Sequence, residues 1–324
     1  MKKSFRIKMK MFLIIFLLII LFPTCIYSMQ KKEKIPSEVI IGGELLQINM
    51  NTNKVMYYRN ENEKNGLENY DLICKIDGKN INNREDIFEH ILSNKKDEKV
   101  ETIVLRNNKY ETVYLKLNDL KPSFFTEYIP FSATLTYINP NDCSFGAVAH
   151  NIKVPDFNNV LTQNGEIYLC NMLEIKKSNE FEVGSIHGKV NDSSQGKINK
   201  VNEFGAKGNI NLNGFKDKQI YEVCKAKDVK LGSASLVINN SNEENKKFYE
   251  INITKINKQN KPSTQGFEFE VVDEDFIKEY GGILQGMSGS PIVQNGKIIG
   301  ALSHVIATNP KDGIGLYIEW MMEK

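Results

Sequence analysis

Histidine is scarce in this chain, with four in 324 residues. None stands in an HExxH pair, so the helical two-histidine zinc motif of metallopeptidases is excluded, and no metal or other cofactor is expected. Cysteine is little used. Cys25 lies near the N-terminus, and Cys74, Cys143, Cys170 and Cys224 form no CxxC pair and no zinc-like spacing. They read as buried free thiols, with disulfides the alternative in an exported protein. An excess of charge of either sign is missing too, with Lys+Arg 42 against Asp+Glu 40. That balance speaks against nucleic acid as a partner. Long hydrophobic runs are limited to Met11 to Phe22, which falls short of the roughly 20 apolar residues that cross a bilayer.

That short run has a telling context. Lys2, Lys3, Arg6, Lys8 and Lys10 precede it, and Pro23 to Ser28 follow. A basic start and a short apolar core mark a secretory signal. Residues 1–28 are therefore expected to be a signal peptide or a retained signal anchor. Ile26 stands where a cleavage after Ser28 would prefer a small residue, which keeps the anchor open. In the second case this segment is the contact with the membrane. Either way the body of the protein is expected to act outside the cytoplasm. Residues 29–37 read as a polar linker.

The rest is ordinary globular material, 41% hydrophobic and 25% charged, enough for about two domains. Over 38–118 a small α/β unit is expected. Val39 to Ile41, Leu45 to Met50, Val55 to Tyr58 and Leu72 to Ile76 predict strands, and Asp77-Gly78 a hairpin turn. Ile87, Phe88, Ile91 and Leu92 predict one helical face, capped by Asn82 or Asn83. Thr102 to Arg106 and Thr112 to Leu117 close the unit. This layout is PDZ-like but degenerate, with Tyr70-Asp71 where the family usually has Gly-Asp. A working unit of this kind would add a substrate strand to its sheet edge. Residues 119–126, with Pro122 and Phe124-Phe125, read as a second linker. From 127 to 324 short strands alternate with Gly/Asn/Asp turns, without a long amphipathic helix, which predicts a mainly β barrel or sandwich. Ser241 to Lys247 is very polar and reads as an exposed hairpin tip.

The chemistry is concentrated in Gly286-Met287-Ser288-Gly289-Ser290-Pro291-Ile292. Small residues around Ser288 let the backbone turn sharply and present the hydroxyl. The N–H groups of Gly286 and Ser288 can then point at one spot as an oxyanion hole. A serine nucleophile needs a base. His90 falls on the helix of the small unit and His187 in a turn. His150 ends the small-residue strand Phe145 to Ala149 and suits the role. His304, on the return strand after the serine turn, is the alternative base or, with Ser303, a wall of the substrate pocket. Asp273, at the end of the apolar strand Phe267 to Val272, is the choice for the acid that orients the base. Glu274, Asp275 and Asp142 compete with it. Ser290 to Val293, the turn Gln294 to Lys297, and Ile298 to His304 resemble the closing hairpin of a chymotrypsin-like barrel.

Taken with the signal and the PDZ-like unit, Ile283 to Ile292, Phe145 to His150 and Gly313 to Met321 resemble the SpoIVB peptidase family of endospore-forming bacteria. The resemblance covers most of the chain. Departures lie in the PDZ-like unit and in a shortened approach to the peptidase domain around Glu127 to Thr134. The resemblance implies a serine endopeptidase with Ser288 as nucleophile, His150 as base and Asp273 as orienting acid. It further implies export into the space between the two membranes around the forespore. There the enzyme would cleave itself and a membrane-embedded regulator of a second protease, releasing the late mother-cell sigma factor. The competing expectation is a non-catalytic binding protein at the membrane surface, with the PDZ-like unit recruiting a partner.

Overall fold

In the computed structural model the described residues are 35–58, 66–93, 99–117, 120–153, 161–215, 218–239 and 246–323. The expected signal (1–28) and most of the expected linker (29–37) lie outside them. Among the described residues no helix is long and apolar enough to cross a membrane.

The first part of the chain holds β1 (Glu38–Ile41), β2 (Leu45–Tyr57), β3 (Leu72–Ile76), β4 (Lys79–Asn80), α1 (Arg84–Ser93), β5 (Lys99–Arg106) and β6 (Lys109–Lys116). The middle holds β7 (Phe125–Ile138), β8 (Ser144–Ala147), β9 (Leu161–Lys176), β10 (Ser185–Val190), β11 (Gly196–Asn202) and β12 (Gly205–Ile210). The last part holds β13 (Ile220–Val223), β14 (Gly232–Ile238), β15 (Lys247–Ile256), β16 (Phe267–Val271), α2 (Glu274–Tyr280), β17 (Pro291–Gln294), β18 (Lys297–Val305), β19 (Asp312–Tyr317) and α3 (Ile318–Glu323).

Two closed rings of antiparallel strands follow from the pairing. The first runs β2–β7–β8–β12–β11–β9 and back to β2. The second runs β14–β15–β16–β19–β18–β17 and back to β14. Numbered within its own ring, each barrel has the order 1-2-3-6-5-4. The expected mainly β, chymotrypsin-like barrel is thus present, with a PDZ unit before most of it. Alternation along the strands fills each interior. Leu46, Ile48, Met50, Ala133, Leu135, Ile167 and Leu169 line the first barrel. Leu236, Ile251, Ile253, Phe267, Phe269, Ile292 and Leu302 line the second.

The small unit has its own core of Val55, Ile73, Ile76, Ile87, Val104 and Leu115. Asn83 caps α1, its side-chain oxygen accepting from the Asp86 N–H at 2.9 Å. Leu92 departs from the expected apolar face and is exposed. Tyr70, standing where the family prefers glycine, takes a left-handed φ of 77°. The position still demands that conformation, and here a tyrosine supplies it.

Strand pairing draws the domain boundary elsewhere than at residue 38. Leu45 to Asn51 of β2 pair with β7, and Leu46 to Thr52 with β9, inside the first barrel. β1 pairs with β7 and β13. Only the far end of β2 joins the PDZ unit, where Val55 and Met56 pair with β3. The unit is therefore inserted in the hairpin between the first two strands of the barrel. The expected linker 119–126 is likewise partly structure: Phe124 and Phe125 are buried, and Phe125 opens β7. Most of the expected hairpin tip at 241–247 lies outside the described residues. Lys246, at its end, is buried and donates to the Ile41 carbonyl at 2.7 Å.

Candidate active site

Ser288 sits in the turn before β17, on the second barrel. Gly289 must be glycine there. Its φ is +99°, and a Cβ would collide with the Thr134 carbonyl and lie 2.6 Å from the Val148 nitrogen. The turn is held from the first barrel by two buried threonines on one face of β7. Thr134 donates its hydroxyl to the Gly286 carbonyl at 2.8 Å and its N–H to the Ser288 carbonyl at 2.8 Å. Thr136 donates its hydroxyl to the Gly289 carbonyl at 2.7 Å. These threonines carry no sequence motif. Their signal is alternation, with Ala133 and Leu135 facing the barrel and polar, β-branched residues facing the other way.

The turn leaves two donors free. The Gln285 carbonyl accepts from Ile186 N–H at 3.2 Å, and the Met287 carbonyl accepts from Ser290 N–H and its hydroxyl. A planar trans peptide sends its N–H opposite to its carbonyl. With those carbonyls tied down, the N–H groups of Gly286 and Ser288 are turned away from them. Among the described residues neither has an acceptor, whereas those of Gln285, Met287, Gly289 and Ser290 are all paired. Gly286 keeps this arrangement open with φ +101°.

His150 follows β8 on the first barrel. The chain reaches it through Val148 (φ 79°) and Ala149 (φ 58°), and the Ala149 N–H donates back to the Ala147 carbonyl at 3.1 Å. A β-branched residue at positive φ in a three-residue turn is strained. The surroundings hold it: Val148 N–H donates to the Thr134 carbonyl at 3.3 Å, and the Ser303 hydroxyl donates to the Ala149 carbonyl at 2.8 Å. Nothing in the residue types announces this turn.

Ser303 and His304, on β18, join the two halves. The Ser288 hydroxyl donates to the Ser303 carbonyl at 3.2 Å. The His150 and His304 rings lie 5.1 Å apart between centroids. The Nδ1 of His150 is 2.9 Å from the Asn151 carbonyl. A carbonyl only accepts, so Nδ1 carries the proton and Nε2 keeps its lone pair. Burial of the half-buried ring lowers the His150 pKa, with the Asn151 carbonyl opposing that shift. Desolvation, and then the neighbouring His150, lower that of His304 as well.

Asp273 is not brought to this place. It caps α2, accepting from the Phe276 N–H at 2.9 Å on one oxygen and from the Glu250 N–H at 3.0 Å on the other. It makes no hydrogen bond or ion pair with His150. The acceptor on Nδ1 expected from its carboxylate is instead the backbone of Asn151, a group no side-chain motif could reveal. His187 lies on β10, its Nε2 3.2 Å from the Ser185 hydroxyl, and His90 on α1.

Two comparisons bear on this geometry. The family model for SpoIVB peptidase S55 matches residues 130–322. The chain belongs to the SpoIVB peptidase S55 family. A PDZ domain model matches residues 46–117, which includes the part of β2 that pairs within the barrel. None of the curated proteins compared with the chain matches it. The protein is thus a serine peptidase of a sporulation family, and its PDZ domain implies protein substrates.

Proposed function

We propose that this chain is an exported serine endopeptidase acting between the two membranes around the forespore, where it cleaves itself and a membrane-anchored regulator. The basic and apolar N-terminal segment supports export, and family membership supports the sporulation setting. The observation that carries the catalytic reading is the meeting of the Ser288 turn and the His150 segment at Ser303–His304.

In this reading Ser288 rotates from the Ser303 carbonyl to the free Nε2 of His150. The imidazole takes the hydroxyl proton as Oγ attacks the scissile carbonyl. The developing oxyanion is received by the N–H groups of Gly286 and Ser288. His150 passes its proton to the leaving amine, and water reverses the sequence to free the acyl-enzyme. The Asn151 carbonyl keeps the imidazole in the useful tautomer. Ser303 and His304 form a wall of the substrate pocket. Asp273 contributes through the α2 cap and the anchoring of β15.

The test is the fragment pattern of the purified full chain. Ser288→Ala should yield no self-cleavage fragments and should be cut when wild-type enzyme is added. Unchanged fragmentation in the variant alone would overturn the proposal.

A further inference from the structure

The His150 and His304 imidazoles lie together beside the Ser288 turn. Both Nδ1 atoms are occupied. That of His150 donates to the Asn151 carbonyl at 2.9 Å. That of His304 is 2.7 Å from the Ser303 hydroxyl. The single Ser303 hydroxyl proton goes to the Ala149 carbonyl, so the Ser303 oxygen must accept from His304. Both rings therefore keep an unprotonated Nε2, the form in which histidine binds metals.

The spacing suits one shared ion. With zinc–nitrogen bonds of about 2.0–2.1 Å, a ring centroid lies roughly 3.2 Å from the metal, so two rings at a tetrahedral angle lie about 5.2 Å apart. The observed separation is 5.1 Å. We propose that His150 and His304 form a site for a divalent transition-metal ion, best matched by Zn²⁺, which shuts the peptidase reversibly by occupying the Nε2 of His150. No group of three His, Cys, Asp or Glu gathers there or elsewhere among the described residues. The remaining positions fall to water or the Ser288 hydroxyl, which makes the ion exchangeable and inhibitory. The inhibition rests on His150 being the base; the binding does not.

The test separates these. Zn²⁺ is titrated into the full chain carrying Ser288→Ala, in competition with a chromophoric chelator. One ion per chain is expected. Its Kd should weaken at least about tenfold with His150→Ala or with His304→Ala, since losing a ligand costs more than losing an outer partner. His90→Ala and His187→Ala should leave it unchanged. Equal binding after His304→Ala would overturn the site. The exposed His304 is also replaced by Gln, with melting curves to check the fold. In the active enzyme Zn²⁺ should lower kcat/KM and EDTA restore it, with sensitivity relative to each enzyme's own zinc-free rate falling in His304→Gln. Retained sensitivity in that variant would overturn the inhibitory role. If Ser288 were not the nucleophile, the activity arm would be silent while the binding arm still reported on the site.

Discussion

As the proposed base, His150 has to be neutral to take a proton, and its burial favours that form. Burial depresses its pKa from the ordinary 6.5. The sign follows directly: the protonated, inactive form accumulates only when pH falls below that lowered value. The acid limb of kcat/KM is therefore expected below pH 6.5, with full activity at neutrality. A limb centred above 7 in the free enzyme would contradict the assignment. Ser288, Gly286 and His150 were all legible as residue types in small-residue contexts. The Asn151 carbonyl was not, because every residue carries one and only the fold decides where it points. For Asp273 the strand-end position was legible, but a helix cap and an orienting acid look alike in sequence.

At the scale of elements, the site depends on what caps and what crosses. Asp273 starts α2 by taking the Phe276 N–H, and with its other oxygen pins the start of the helix to β15. Asp273→Ala should cost about 1 kcal/mol of stability, the ordinary worth of such a cap, read from urea midpoints. It should leave kcat within about tenfold. A fall of about 10⁴ in kcat with the fold intact, the cost of a misoriented base, would restore Asp273 to catalysis. β7 is the crossing element. Its odd-numbered residues Ala133 and Leu135 sit in the first core, while Thr134 and Thr136 hold the Ser288 turn of the second barrel. The strand was legible from its alternation. Its partner was not, because the polar face of a strand does not say whether it meets water or another barrel.

At the scale of the molecule, the PDZ unit interrupts a barrel hairpin instead of preceding it. Local periodicity could find β2 but not the fact that its halves serve different cores, since pairing partners lie far along the chain. Asn51 and Tyr128 are paired neighbours, and no residue between them belongs to the first barrel's buried core, although Met56 and Leu72 share a small separate cluster with Ile129 of β7. Replacing residues 52–127 with an Asn-Gly turn, which suits a two-residue hairpin, is expected to give a folded double barrel. Labelling of Ser288 by a sulfonyl fluoride should survive in it. An insoluble product or an unlabelled folded one would show that the PDZ unit is part of the catalytic frame.

The central claim is that the His150 imidazole activates the Ser288 hydroxyl. Its most direct measurement is the rate at which a serine-directed sulfonyl fluoride modifies the full chain, located by peptide mass mapping. A single adduct on Ser288 is expected in the wild type, with a rate lower by several powers of ten in His150→Ala. Equal labelling of Ser288 in both proteins, or an adduct on another serine, would contradict the account.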